Sequence, residues 1–548
     1  MNRHIINPRR HALALACGLA CALPAFAMEL ASDDPDTKIR LDFTPKYSLA
    51  YRLKDPSALL TSPAARGDGG VTNENDGDLN FGQGVVSNRV DLLSEFDYSR
   101  GNWGLRLSHA AWYDSKYLSR NDNPGTMGVS NQPGQPANEF IPATRSRHGR
   151  GGEVLDAFVY AKGSVGELPG SIRIGKHALQ YGESLFFGQN GIANAQGPVD
   201  VAKIVSVPNW QFKEVLLPVE QVSGSLQVAE GVTLGGYYQF KWRPSKIPGV
   251  GSYFSNQDYI GGGQVFFGPP LPPVLVTDNS KDQRPGDSGQ FGAQLRWSPA
   301  GSDYEFGFYA ARYHDKTPAV PVFDLVNGNV HQVYAEGIKT VGASVTSSIG
   351  QLNWALEGSV RQNTPLASAG QASLATIRVN TGLNNNSNPG YAVGETAHAQ
   401  LSWIASLGPS FLSREASFVG EVAWNQRTKV TRNAQMLNPN ADKSATGVRM
   451  VYSPSYRQVL PGLDLSPSIG LGYTKGKSSA VGPGFGVDGG GDLSLGLNAV
   501  YLGVWNLGVN YVHFLGKAAP TLDANNNAVY QQALKDRNYL TVSLRTTF

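Results

Sequence analysis

Beyond residue 27 the chain has no cysteine, because Cys17 and Cys21 both fall in the first 27 residues. That excludes a disulfide framework, a thiolate metal site and a thiol nucleophile from the rest of the protein. Long apolar runs are missing too. No stretch after residue 27 reaches the roughly 18 consecutive apolar residues of a membrane-spanning helix, and none carries a sustained helical period. An excess of one charge is the third absence. Removing Arg3, Arg9 and Arg10 from the 46 basic residues leaves 43 against 43 acidic ones, so nothing points to a nucleic-acid partner.

The first 27 residues read as a secretory signal to be cleaved. Arg3, Arg9 and Arg10 give a positive start, Ala12 to Leu23 an apolar run, and Ala25-Phe26-Ala27 a small-x-small site before Met28. Residues 28–548 then form one domain.

What fills that domain is alternation. At the C-terminus Leu540, Val542, Leu544, Thr546 and Phe548 share one face of an extended strand, and Tyr539, Thr541, Ser543, Arg545 and Thr547 the other. The same two-residue period recurs from Ile39–Arg52 through Leu352–Arg361 and Ala397–Trp403 to the end. Apolar side chains on one face and polar ones on the other suit a wall between lipid and water. A membrane protein without spanning helices must be a closed sheet, since only that satisfies every backbone group in lipid. The expected fold is therefore all-β: an up-and-down antiparallel transmembrane barrel of about 18 strands, within a range of 16–20, each of about 9–11 residues. Short turns, expected after Tyr98, Ala161, Val228, Ser298, Ser348, Leu407, Ser453 and Tyr501, alternate with long loops. This is the pattern of short periplasmic turns and long external loops. Seven tryptophans, at 103, 242, 297, 354, 403, 424 and 505, sit near strand ends on the apolar face, as interfacial girdles do. The location implied is the Gram-negative outer membrane, with lipid and lipopolysaccharide around the wall.

Several segments carry a family resemblance. They are Leu155-Asp-Ala-Phe-Val-Tyr160, Arg173-Ile-Gly-Lys176, Tyr181-Gly-Glu-Ser184, the run from Gly191 to Lys203, Lys213-Glu-Val-Leu-Leu-Pro218 and the run from Gly251 to Asp258. Together with Asn75–Phe81 and Ser87–Val90 they resemble a domain-of-unknown-function family of Gram-negative outer-membrane β-barrel proteins. The resemblance implies a barrel of unassigned chemistry. It also implies a link to a periplasmic lipid-carrier-like protein and an inner-membrane transporter, and so to lipids, sterols or other hydrophobic compounds. Tyr181, Ala193 and Gln196 depart from the family pattern. The terminal strand with Tyr539, Leu540, Val542, Leu544, Thr546 and Phe548 resembles the signal read by the barrel-assembly machinery.

Two sets of residues are candidates for function. Arg106, Asp156, Arg173, Lys241, Arg296, Glu357, Arg361 and Arg449 fall on the inward face, as a selectivity surface or as salt bridges that hold the wall. The loop at 180–218 is apolar where an external loop should be polar, and that at 244–288 repeats the signal. Leu185, Phe186, Phe187, Trp210, Phe212, Tyr253 and Phe254 form an apolar gate or pack inward. Enzyme signals are weak, so no catalytic residue, metal site or cofactor is expected. Gly286-Asp-Ser-Gly289 lacks a convincing His and Asp context, and the histidines at 109, 177 and 398 stand on separate strands. Asp523–Asn527 lacks the later glycine and glutamate of a calcium loop. The function expected is passive transport of small apolar or amphipathic molecules (lipid, sterol or aromatic-like). A general or substrate-selective diffusion porin is the alternative, and an outer-membrane enzyme or structural barrel a distant third.

Overall fold

The computed structural model describes residues 28–30, 32–61, 75–125, 134–258, 260–266, 274–324, 328–369, 383–523 and 527–548. The expected signal at 1–27 lies outside them. Eighteen strands, numbered β1 to β18 in chain order, make the wall. They are Thr37–Arg52, Gly84–Arg100, Trp103–Asp114, Arg150–Val165, Leu168–His177, Val219–Ala229, Val232–Gln239, Gln290–Trp297, Tyr304–Tyr313, Ile338–Ile349, Leu352–Pro365, Val393–Leu407, Glu415–Arg432, Ser444–Leu460, Leu463–Lys475, Gly490–Tyr501, Trp505–Leu515 and Tyr539–Arg545. Each pairs antiparallel with its sequence neighbours. The barrel closes where Lys46–Arg52 of β1 pairs with Tyr539–Arg545 of β18. Eight short turns alternate with nine longer connections; the one expected after Ser453 comes later, at 461–462, because β14 runs on to Leu460.

Burial is inverted relative to a soluble sheet. On β1 the polar Asp42, Thr44, Lys46, Ser48 and Arg52 are buried while Phe43 and Tyr51 are exposed. Val159, Ile172, Ile174, Leu234, Phe308, Val341, Leu356, Leu401, Leu495, Leu507 and Leu544 extend the exposed apolar band around the outside. Such a surface is stable only against lipid. Trp103 and Trp297 stand on it beside short turns, and Trp354 faces Trp403 in register one strand over.

A proline within β1, Pro45, is tolerable at a seam and a mark against a central strand, and it lies where the chain ends meet. The regular ladder of β18 stops at Arg545, but the chain runs on beside β1: Thr546 N–H donates to the Pro45 carbonyl at 3.3 Å, and Phe548 and Phe43 exchange both backbone bonds. A short strand, Met28–Leu30, continues the same edge by pairing with Ile39–Leu41. The final residues therefore lie in the wall, with Leu540 and Leu544 outward.

Three expectations need correcting. Alternation through Leu155, Ala157, Val159 and Ala161 predicts Leu155 on the apolar outer face, and it does not lie there. A register shift between β3 and β4 at Leu107/His109 turns it inward, where it is buried with Leu93 and Ala110. Lys241 is not in the wall, because β7 ends at Gln239 and Lys241 is exposed in the bend that follows. Trp242 belongs to no girdle: it packs edge-on against Tyr334, and its indole N–H donates to the Asp315 carbonyl at 3.0 Å. The chain bends here because Trp242 N–H is taken by Asp287 Oδ1 at 3.1 Å.

Candidate functional site

The connection between β5 and β6, residues 178–218, does not project outward. It folds into the lumen, and its contacts with the wall show how it is held. Glu357 on β11 points inward and accepts the N–H groups of Glu183 at 2.6 Å and Ile192 at 2.7 Å. Glu421 on β13 accepts those of Leu185, Phe186 and Phe187 through one oxygen, at 3.3, 2.5 and 2.9 Å. Arg361 supplies the opposite sign, donating through one nitrogen to the carbonyls of Gln189, Asn190 and Gly191 at 2.9, 2.8 and 2.8 Å. Asn190 reaches His398, whose Nδ1 lies 3.1 Å from its Oδ1, and Asn425, whose amide donates to the same oxygen at 3.3 Å. Charged hydrogen bonds of this kind are about twice as strong as neutral ones.

The grip is on backbone, and close approach requires glycine at two points. Gly182 has φ +86°, and a Cβ there would strike Glu357; a Cβ on Gly191 would strike Ser184 and Gln400. Because the wall holds main chain, side chains of the same turn are left free. Leu185 and Phe186 are 37% and 39% exposed, within the lumen. Phe187 instead packs on Phe485, with ring centroids 5.5 Å apart.

The loop then returns. Asp200 caps a short helix at Val201–Ser206 by accepting Lys203 N–H at 2.8 Å. Trp210 is tied to it through an indole bond to the Ile204 carbonyl at 3.1 Å. Asn209 donates to Ser543 on β18 at 2.8 Å, Glu214 lies 3.6 Å from Lys46 on β1, and Lys213 pairs with Glu95 on β2. Phe212 is left 51% exposed. The segment 178–218 is thus a plug anchored at many points around the wall.

The inward charges divide into two groups. Glu357, Arg361 and Glu421 are buried under the plug, together with Thr396, His398 and Gln400 on β12. Arg296 stands at the edge of this group, tied to Glu305 and, at 3.2 Å, to Glu183, with its side chain 29% exposed. Arg106 remains accessible; it reaches Glu95 at 2.5 Å, Asp97 at 3.2 Å and Asp156 at 3.5 Å. Arg449 pairs with Asp492 at 3.0 Å and keeps 42% side-chain exposure. Arg173 is exposed on β5, its guanidinium 5.8 Å from the Phe158 ring centre. The plug seals the arc of β10–β13, and Arg89, Asp91 and Glu95 on β2 are buried as well; of the inward charges, Arg106 and Arg173 on β3 and β5 and Arg449 on β14 are left accessible.

Tyr253 and Phe254 were expected to share a gate with Leu185 and Phe186, but they stand apart from it. Tyr253 is buried with Phe81, Tyr117 and Phe140, and Phe254 packs on Tyr253 and Tyr539. Beside them Asp78 accepts from both Arg52 and Arg537 at 2.9 Å. Burial and the neighbouring Asp78 push the Asp536 carboxyl up to about 6. Tyr117 stacks on His148, whose imidazole burial pushes down to about 3; neutral, it accepts Gly249 N–H at 3.0 Å. The serine motif does meet a histidine, His314, but Nε2 lies 3.0 Å from the Ser288 backbone carbonyl, and Nδ1 accepts Gly337 N–H. With Nδ1 occupied as acceptor and Nε2 against a carbonyl, this ring is no base for the hydroxyl. Among the described residues no His, Cys, Asp and Glu group could hold a metal ion.

A closed barrel with an even strand number, an apolar exterior and one end of short turns has the build of an outer-membrane barrel, here with an internal plug. The chain belongs to the family described as a protein of unknown function (DUF1302), which matches residues 9–548. No curated protein matches it. Among solved structures it is similar to the outer membrane channel DcaP of Acinetobacter baumannii, at 9% identity over 96% of this chain and 100% of that one, TM-score 0.36. OccAB3 of the same organism gives 9% identity over 93% and 99%, TM-score 0.42. OpdK of Pseudomonas aeruginosa, solved with vanillate, gives 10% over 93% and 98%, TM-score 0.39.

Proposed function

We propose that the protein is a passive outer-membrane channel for small apolar or amphipathic molecules. The observation that carries this reading is the exposure of Leu185, Phe186 and Phe212 inside a polar lumen. Isolated apolar groups facing water gain by contact with an apolar solute; charged clamps on the backbone hold Leu185 and Phe186 in place, and the ion pairs of Lys213 and Glu214 hold the turn that carries Phe212. A passing solute meets these side chains without displacing the plug. Outer-membrane lipid, lipopolysaccharide and the barrel-assembly machinery are the partners of the wall. A periplasmic lipid-carrier-like protein and an inner-membrane transporter are those of the solute.

Diffusion of polar solutes is the second reading, favoured by the accessible pairs Arg106–Asp97 and Arg449–Asp492. Flux into proteoliposomes separates the two. Toluene-sized neutral aromatics should enter faster than sugars of equal mass, and Phe186→Ser should slow the aromatics alone. Rapid, size-graded entry of sugars with no effect of Phe186→Ser would reject the apolar reading.

A further inference from the structure

We infer that a recess between the returning limb of the plug and the wall at β4–β5 is a binding subsite for uncharged amphipathic molecules. This rests on the channel reading and names the class of solute. The recess has a volume of about 460 Å³ and is lined by Asp156, Ala178, Phe212, Lys213, Leu216 and Pro218 among others. That is within the usual range for a small-molecule site, and its four apolar residues stand beside three polar ones, Asp156, Gln211 and Lys213.

Charge decides the class. Lys213 holds Glu95, and Arg106 reaches all three nearby carboxylates, Glu95, Asp97 and Asp156. Asp156 is engaged further: its carboxylate accepts the Ser108 hydroxyl at 3.3 Å, and its N–H donates to Ser108 Oγ at 2.9 Å. An entering anion meets three carboxylates and finds Lys213 and Arg106, the cations that reach them, already paired. To bind, it must pull Lys213 from Glu95, a carboxylate only 4% exposed, and leave a buried charge with one partner fewer. A cation must compete with Arg106 for the same carboxylates. An uncharged molecule breaks no pair. Its body lies on Phe212 and Leu216, and a hydroxyl or carbonyl takes the donors that the Lys213 ammonium has beyond the one on Glu95. Lys213 is 41% exposed, so those donors are within a solute's reach. The ion pairs at the rim therefore select against ions instead of attracting them.

Photolabelling of the full-length mature barrel in liposomes tests this directly. Three probes share a trifluoromethyl-diazirine phenyl body and differ in one group: benzyl alcohol, benzoate and benzylammonium. Adducts are mapped by peptide mass spectrometry. The alcohol should label 211–218 or 156–178 about tenfold more than either ion, and Phe212→Ser or Leu216→Ser should remove most of that label. Heat-modifiable gel mobility confirms that each variant is a folded barrel. Equal labelling by an ion, or wild-type labelling in both folded variants, overturns the subsite. Labelling as described with no solute flux sinks the channel reading and leaves the subsite standing; flux without this labelling does the reverse.

Discussion

The two sides of the lumen use the same kinds of residue for opposite ends. On β10–β13 the inward charges face main chain: Glu357, Glu421 and Arg361 bind N–H and carbonyl groups of 183–192 and disappear beneath it. Beside the short turn of β2–β3 and on β14–β16 the inward charges face one another, as Arg106 with Asp97 and Arg449 with Asp492, and stay accessible, although Arg89, Asp91 and Glu95 further along β2 are buried. A charge on a barrel wall is thus structural or solute-facing according to what the plug brings to it. Sequence position alone does not say which.

Removing the clamps should break that difference most visibly. Glu357→Ala with Glu421→Ala strips five backbone N–H bonds from the plug. Single-channel conductance should rise several-fold and become noisy in planar bilayers. Arg361→Met leaves three carbonyls without their donor and should lower unfolding stability by about 3–5 kcal/mol, the range for breaking a buried charged contact, read by heat-modifiable gel mobility. On the open side, Arg106→Ala should cost far less stability, since Arg106 is partly solvated. It should instead leave Glu95, Asp97 and Asp156 in excess and move the reversal potential toward cation selectivity.

The smallest effect is expected in the external cluster. Asp536 has its folded value raised to about 6, above its ordinary value near 3.8, so the folded state gains a proton first as pH falls. The stabilisation is full below about 3.8 and is lost as pH rises through about 6. Protection factors in residues 75–81 (amide exchange corrected for the intrinsic base-catalysed rate) should therefore be higher at pH 5 than at pH 7.5, and Asp536→Asn should flatten the difference.

The barrel was legible in the sequence because lipid on one face and water on the other impose a strict two-residue period. Strand number and turn order follow from it. Leu155 escaped, since an inserted residue shifts the period by one and apolar identity is then misleading. That 180–218 is no ordinary external loop was legible as an excess of apolar residues, and whether it gates or packs inward stayed open. Its mode of attachment was not, because carboxylates that bind backbone amides leave no complementary charge in the loop. The signals that existed were Gly182 and Gly191, where side chains would collide with Glu357 and Ser184. Grouping Tyr253 with Phe186 failed for a related reason: aromatic content marks burial, and Tyr253 is buried in a separate cluster.

Because no cysteine follows residue 27, single cysteines can report which arc a small reagent reaches. Arg173→Cys and Asp97→Cys stand on the open side; Ser359→Cys and Thr396→Cys lie under the plug, where the native residues are 7% and 1% exposed. With a methanethiosulfonate reagent applied to reconstituted channels, the first pair should react fast and reduce current, and the second should stay unmodified. Equal rates in both pairs, or faster reaction beneath the plug, would contradict a lumen sealed along one arc and open along the other.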